Sequence, residues 1–359
     1  MKILFYSDSA EVGGAEKYLG QIISGLKEKG DQTVTAHNAK ELKEKISAEK
    51  PEIVHFNMPD VFSCKDAFGA AEKLKVIATV HSLSRTQALK AGRNFKAWIA
   101  SYIPFWQSFD HLFGRIGFYF KRRGLMDRLL ILSKIIAVSE AGRKELIDTF
   151  GLPPEKIAVI YNGIPKKEYP DRKTAREALG LNLNSPVIAC IGRLVKNKGQ
   201  DVFLKAAAMI KQKIPDARFL IAGDGYLKDP LKKLARKLGL RTEEIFLAYE
   251  KAPFVFGAMD ISIVPSLMEN LPYVVMESML AGKPVVASAV GGIPELVKNG
   301  ETGTLIKPND PNELAEAIMK LINNKQLVGA MGGRGKERVL NVFSLGRMIN
   351  ETEKVFKAA

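Results

Sequence analysis

The stretch Pro186-Val187-Ile188-Ala189-Cys190-Ile191-Gly192-Arg193-Leu194-Val195-Lys196-Asn197-Lys198-Gly199-Gln200 passes from an unbroken apolar run, through a basic loop bounded by glycines, into a helical pattern. An apolar run without polar alternation is a strand covered on both faces, the environment of a parallel sheet. The same unit recurs in both directions along the chain. Strands are predicted near 2–6, 32–36, 52–56, 75–80, 134–138 and 157–161, and a second series near 186–191, 217–222, 244–247, 260–264, 284–287 and 303–306, with helical patterns between them. Such alternation builds βαβ units and parallel sheets. Between the two series, Asn162-Gly163-Ile164-Pro165-Lys166-Lys167-Glu168-Tyr169-Pro170 carries an Asn-Gly turn and two prolines, which break any regular element and mark a domain boundary. The chain closes with helical patterns at 310–325, 327–341 and 345–357. The expected architecture is α/β, with two Rossmann-like, doubly wound halves facing each other across a cleft.

The 359 residues suit two domains at ~100–200 residues each. With 46% apolar and 26% charged residues, the composition is that of a globular protein and excludes the disordered, collagen-like and membrane-embedded classes. Apolar runs such as 129–132 and 135–138 fall far short of the ~20 residues of a spanning helix. The apolar stretch near the N-terminus is too short for a signal peptide, so a cytoplasmic location is expected. Cys64 and Cys190 stand far apart in apolar surroundings, which points to two reduced core residues rather than a disulfide framework or a metal cluster.

Lysine and arginine number 54 against 39 aspartates and glutamates, a net charge of +15, and such an excess favours polyanionic partners. In the first half the excess is concentrated: residues 85–134 hold ten Lys/Arg against Asp110 and Asp127. Residues 85–128 also carry ten aromatic side chains, among them both tryptophans, Trp98 and Trp106, and the run Lys121-Arg122-Arg123. Aromatic residues flanked by lysine and arginine describe an interfacial helix on an anionic membrane surface, or a seat for a lipid-linked acceptor. Ordinary helices packing their aromatics into the core account for the same composition, and nucleic acid, the third reading, is not an expected partner.

Several turns carry chemistry. Ser7-Asp8-Ser9-Ala10-Glu11-Val12-Gly13-Gly14-Ala15-Glu16 joins a strand to an amphipathic helix, and Gly13 and Gly14 let the backbone approach a phosphate at the helix N-terminus or form a plain glycine-rich loop. Arg193 and Lys198, bracketed by Gly192 and Gly199, would hold and neutralise a diphosphate, against the alternative of a solvated basic loop. Pro265-Ser266-Leu267-Met268-Glu269-Asn270-Leu271-Pro272 leads into a helix in which Glu277 lies about two turns in. Glu269 and Glu277 so placed suit two hydroxyl-bearing parts of one extended ligand. His81 ends the apolar strand Val76-Ile77-Ala78-Thr79-Val80, as a ligand contact or a satisfied strand-end histidine. His55 is a weaker candidate, and His37 and His111 read as surface residues.

Gly192-Arg193-Leu194-Val195 with Lys198-Gly199, Ala222-Gly223-Asp224-Gly225, Pro265-Ser266-Leu267 with Glu269 and Leu271-Pro272, and the block from Ala281-Gly282-Lys283-Pro284 to Gly291-Gly292-Ile293-Pro294-Glu295 resemble the retaining nucleotide-sugar glycosyltransferases of family 4. Gly13-Gly14-Ala15-Glu16, Val138-Ser139-Glu140 and Tyr161-Asn162-Gly163 extend the resemblance over nearly the whole chain in family order. It implies the GT-B arrangement: an acceptor-binding domain over 1–165, with helix 343–359 packing back on it, and a donor-binding domain over 166–342. It further implies Arg193 and Lys198 on the donor diphosphate beside Gly192, Gly223 and Asp224, with Glu277 on the nucleotide ribose. Glu269, with Asn270, Leu271 and Pro272, would hold the donor sugar. Gly13 and Gly14 would approach the phosphates, and His81, Ser139, Glu140 and Asn162 would lie on the acceptor side. His81, Arg193, Lys198 and Glu269 are the implied catalytic set, although His81 need not be the base, because in a front-face reaction the leaving phosphate accepts the acceptor's proton. No metal or other cofactor is expected, in keeping with the lack of an Asp-x-Asp motif. The chain departs from the family at Asn270, where a small residue is common, at Ala248, where glycine is usual, and in a short N-terminal half.

The expected function is transfer of a hexose, with retention and without metal, from a UDP- or GDP-sugar to a lipid-linked or other glycan acceptor, in cell-envelope glycoconjugate or polysaccharide synthesis. The expected site of work is the cytoplasm, extending to the inner face of the membrane. The rivals are a nucleotide-sugar epimerase of the same architecture and a non-catalytic nucleotide-sugar binder. A dinucleotide-dependent dehydrogenase is disfavoured, since no Gly-x-Gly-x-x-Gly turn follows the first strand.

Overall fold

The computed structural model describes residues 1–7, 13–58, 67, 70, 71, 74–81 and 132–359. They divide into two compact units, Met1–Asn162 with Gly346–Ala359, and Gly163–Leu345. Cys64, His111 and the basic aromatic segment 85–128, with Trp98, Trp106, Lys121, Arg122 and Arg123, lie outside the described residues. Among the described residues, no helix is long and apolar enough to cross a membrane.

In the first unit β1 (Lys2–Tyr6), β2 (Gln32–Ala36), β3 (Ile53–Met58), β4 (Lys75–Val80), β5 (Lys134–Ala137) and β6 (Ile157–Val159) form a parallel sheet in the order β2-β1-β3-β4-β5-β6. β3, in the interior, is buried along its whole length, whereas β2 at the edge is polar and largely half-exposed. Helix α1 (Gly14–Glu28) buries Ala15, Tyr18, Leu19, Ile22 and Leu26, a stripe of helical spacing. Helices α2 (Ala39–Glu49) and α3 (Glu140–Phe150) are capped by Asn38 and Ser139, whose side chains accept from the amides of Glu41 and Gly142.

In the second unit β7 (Val187–Ile191), β8 (Arg218–Ala222), β9 (Phe246–Leu247), β10 (Ile261–Val264), β11 (Val285–Ser288) and β12 (Gly303–Ile306) form a second parallel sheet in the order β12-β11-β10-β7-β8-β9. Its helices are α4 (Arg172–Ala178), α5 (Gln200–Lys213), α6 (Lys228–Lys237), α7 (Ala252–Ala258), α8 (Tyr273–Leu280), α9 (Ile293–Leu296), α10 (Pro311–Ile322) and α11 (Lys325–Val342). The unbroken apolar run of β7 is explained by the two cores it serves. Ile188 and Cys190 point into one cluster with Val202, Phe203 and Ile318, while Val187, Ala189 and Ile191 point into the other with Val255 and Phe256.

The chain passes between the units twice. Ile164 N donates to the Phe343 carbonyl (2.9 Å) and Leu345 N to the Ile164 carbonyl (3.1 Å), which ties the two passages together. Residues 163–165 and 343–345 therefore belong to the second unit. The last helix, α12 (Leu345–Ala358), returns to the first, setting Phe356 against Phe5 and His55 with ring centroids 6.3 and 5.4 Å apart. Lys29 Nζ meets the Glu353 carboxylate at 2.5 Å there.

Arg176, on α4, is the largest fully buried side chain among the described residues. Its Nε donates to the Ala258 carbonyl (3.0 Å), one guanidinium nitrogen to the carbonyls of Asn182, Leu183 and Ser185 (3.0, 2.8 and 2.8 Å), and the other to Asp260 (2.8 Å). Removing one partner of a buried pair costs ~3–5 kcal/mol, and here the lower end applies because Asp260 keeps Arg172 and the Val187 amide. Arg176→Met should therefore lower unfolding stability by about 3 kcal/mol in urea denaturation, whereas Arg172→Met, at the exposed end of the same carboxylate, should cost under about 1 kcal/mol.

Candidate active site

In the second sheet β7 lies between β10 and β8, so the strand order reverses between β7 and β10, the kind of position at which open α/β sheets bind ligands at the carboxyl ends of their strands. The Gly192–Gly199 loop leaves β7, and Ser266–Pro272 leaves β10. Backbone contacts fix the first loop: Gly192 N donates to the Ala222 carbonyl (3.0 Å), Leu194 N to the Asp224 carbonyl (2.7 Å) and Gln200 Nε2 to the Arg193 carbonyl (2.8 Å). Ala222 and Asp224 thus brace the β7 loop through their carbonyls, and Gly223 lies so close to it that an added Cβ would stand 2.0 Å from the Gly192 carbonyl oxygen. The Asp224 carboxylate is exposed, 3.2 Å from Lys228, and the Gly225 amide followed by Lys228 holds it below the usual carboxylate range.

The two loops are pressed together. Leu267 N donates to the Asn197 carbonyl (2.8 Å). Gly199 has φ +68°, and a Cβ there would lie 2.1 Å from the Pro265 carbonyl oxygen, so both the conformation and the space require glycine. Gly291 (φ +52°) is equally constrained, with an added Cβ 1.8 Å from the Glu269 carbonyl oxygen, and Gly292 N donates to the Asn270 carbonyl (2.7 Å).

This packing brings Lys198 Nζ to 2.5 Å from Glu269 Oε1, and Ser266 Oγ donates to the same oxygen (2.8 Å). The Glu269 side chain is 9% exposed and that of Lys198 22%. Arg193 stands exposed on the same loop, and Leu271 and Pro272 are buried ahead of α8. Glu277 is half-buried and is the fifth residue of α8, one turn in rather than two. Burial first, and the Glu277 charge second, push the Tyr249 phenol up, and the same two causes lead in raising Tyr169. Sequence reasoning passed over Tyr169, Tyr249 and Ser266. The serine had a signal, a hydroxyl three positions before Glu269, whereas the tyrosines had none.

In the first unit the corresponding switch lies at β1, between β2 and β3. Gly13 is the N-cap of α1 and Gly14 its exposed first residue. His81 follows β4 directly, with its ring Nε2 2.8 Å from Asn57 Oδ1 and its ring edge-on to Tyr18 at 4.6 Å. His55 is fully buried, with Nε2 2.8 Å from Thr79 Oγ1, which also meets the Tyr18 hydroxyl at 3.2 Å. Burial pushes both histidines down to about 3, so both rings are neutral near pH 7 and His81 can exchange hydrogen bonds but carries no charge. Ser139 is fully buried as the cap of α3, Glu140 is exposed 3.8 Å from Arg143, and Asn162 is buried. Among the described residues, no three His, Cys, Asp or Glu side chains stand together as a metal site.

Comparison with known proteins gives the family and the fold. The Glycosyl transferases group 1 family matches residues 171–338, and Glycosyltransferase Family 4 matches residues 33–168. The chain belongs to this glycosyltransferase family, and its two six-stranded parallel sheets are those of the GT-B fold. It is 28% identical over 235 residues to an uncharacterized glycosyltransferase of Methanocaldococcus jannaschii, covering 63% of this chain and 60% of that protein. It is 31% identical over 253 residues to D-inositol 3-phosphate glycosyltransferase of Corynebacterium aurimucosum, covering 66% of this chain and 60% of the relative. The chain thus spans about three fifths of these curated relatives. Its fold also matches HepE of Anabaena, solved in complex with UDP-glucose, with a TM-score of 0.77 and 23% identity over all of both chains.

His55 provides a test of the buried polar cluster. Its folded-state value of about 3 lies below the 6.5 of an unfolded histidine. Above pH 6.5 neither state is protonated; below it the unfolded chain takes up a proton that the native ring refuses, at about 1.4 kcal/mol per pH unit. Stability should therefore fall by about 2 kcal/mol more between pH 6.5 and pH 5 in the wild type than in His55→Gln, measured by urea denaturation at both pH values. Equal slopes would mean that the ring is not held neutral.

Proposed function

We propose that the chain transfers a hexose, with retention and without a metal ion, from a UDP-sugar to a glycan or lipid-linked acceptor. The observation that carries this reading is the Lys198–Glu269 pair, which two loops hold mostly away from water at the switch point of the second sheet. A half-desolvated ion pair adds little to stability over an apolar packing, so its value lies in what it can exchange for. A diphosphate arriving beside Arg193 offers Lys198 a doubly charged partner and frees Glu269 to accept from sugar hydroxyls. Glu277, one loop away, accepts from the ribose.

In the reaction, the acceptor oxygen bonds to the anomeric carbon on the face from which the diphosphate departs. The carbon–oxygen bond to phosphate breaks, and the acceptor's proton passes to the leaving phosphate oxygen. Arg193 and Lys198 stabilise the charge that grows on it, the role a divalent cation plays in other transferases. His81, neutral and held by Asn57, is suited to a hydroxyl of the acceptor or donor. The UDP donor is supported by the UDP-glucose complex of the similarly folded HepE. A lipid-linked acceptor, envelope synthesis and work at the inner membrane face rest on the composition of segment 85–128.

Removal of one preorganised donor to a developing anion costs ~10²–10³ in rate. Lys198→Ala and Arg193→Ala should each lower transfer from UDP-glucose by that factor in a glucosyl-transfer assay with EDTA present, while the wild type turns over undiminished in EDTA. Near-normal turnover in both variants overturns the site assignment. Isomerised nucleotide sugar appearing without an acceptor identifies an epimerase instead.

A further inference from the structure

The second unit holds a cavity of about 390 Å³ that uses none of Arg193, Lys198, Glu269 or Glu277. Its walls are the segment after the domain boundary, the end of α7, the C-terminal end of α8 and one side of α11. That volume lies within the ~300–1,000 Å³ of small-molecule sites. The lining is strongly cationic, with Lys166, Lys167, Arg172, Lys283 and Lys336. Two carboxylates, Glu168 and Asp171, oppose them, and Asp171 is already committed to the α4 cap, accepting from the amides of Lys173 and Thr174 and from Thr174 Oγ1.

Lys283 is the telling residue. It is half-buried, and its ammonium donates to the Gly257 carbonyl (3.0 Å). No carboxylate of the described residues lies within ion-pairing distance of it. Asp260, the carboxylate whose charge acts on it, is shared between Arg172 (3.3 Å) and Arg176 (2.8 Å). Burial therefore holds Lys283 down to about 8, with Asp260 pulling upward and the two arginines downward. A cation desolvated without a counter-charge gains more from an arriving anion than an exposed lysine does.

We propose that this cavity binds a small phosphate-bearing anion, with Lys283 on its floor and Lys166 and Lys336 at its rim. The proposal does not rest on the donor reading, although Tyr169, on which the Glu277 charge acts, stands in the cavity wall. It adjoins Leu280 and Ala281, at the end of the helix that carries Glu277, yet takes its charge from other elements.

The test is calorimetric titration of the full chain with inorganic phosphate at pH 7. Lys283→Met combined with Lys336→Ser should weaken phosphate binding at least tenfold, whereas Arg193→Ala combined with Lys198→Ala should change it less than threefold. The reverse pattern would put phosphate at the donor loops and overturn the proposal, as would equal retention in both variants. If Lys283→Met does not fold by circular dichroism, Lys166→Ser with Lys336→Ser, both exposed, should still weaken binding at least threefold; unchanged binding there overturns the proposal. UDP titrated into the same proteins separates the two readings: phosphate binding without any UDP binding removes the transferase reading and supports this one.

Discussion

The ion pair between Lys198 and Glu269 depends on a backbone arrangement, and much of the second unit serves to maintain it. Seventy-one positions separate the two residues, and they meet because Asn197 accepts from Leu267 and because Gly199 leaves room for the Pro265 carbonyl. A side chain at Gly199 would push the β7 and β10 loops apart at the point where the pair forms. Gly291 does the same for the far side of the Glu269 loop. The glycines that punctuate the motifs thus act through close approach of main chain to main chain, and the charged residues are positioned as a result.

The polar interiors of the two units are organised differently. In the second, Arg176 is fully buried and meets four carbonyls and one carboxylate, so a permanent charge is compensated on every side. In the first, the cluster of Tyr18, His55, Thr79, Asn57 and His81 carries no charge, because burial keeps both rings neutral. A neutral, hydrogen-bonded cluster suits hydroxyl groups, and the cationic pair Arg193 and Lys198 suits a diphosphate. This division matches the separation of acceptor and donor functions proposed for the two units.

Most of the fold was legible because its signal is local. The run Val187–Ile191 is apolar at every position since alternate residues enter two cores, and the same logic located the other strands to within a residue or two. β9 is shorter than expected, two residues at the edge of the sheet, where pairing on one side gives little to extend it. The sequence offers the candidate site as a list of residues, not as contacts. The Lys198–Glu269 pair, the role of Ser139 as a helix cap, and the effect of the Glu277 charge on Tyr169 and Tyr249 depend on loop conformations and on residues distant in sequence. The Lys283 cavity was illegible for the same reason: its cations come from three separate stretches of chain, each of which reads as an ordinary solvated charge.

The most direct test of the central claim is a crystal structure of the chain with a bound, non-hydrolysable UDP-glucose analogue, read at a single place. The expected result is a diphosphate within hydrogen-bonding distance of Arg193 and Lys198, with Lys198 drawn off Glu269 and the Glu269 carboxylate turned to the sugar hydroxyls. A diphosphate bound elsewhere while Lys198 remains 2.5 Å from Glu269 would contradict it.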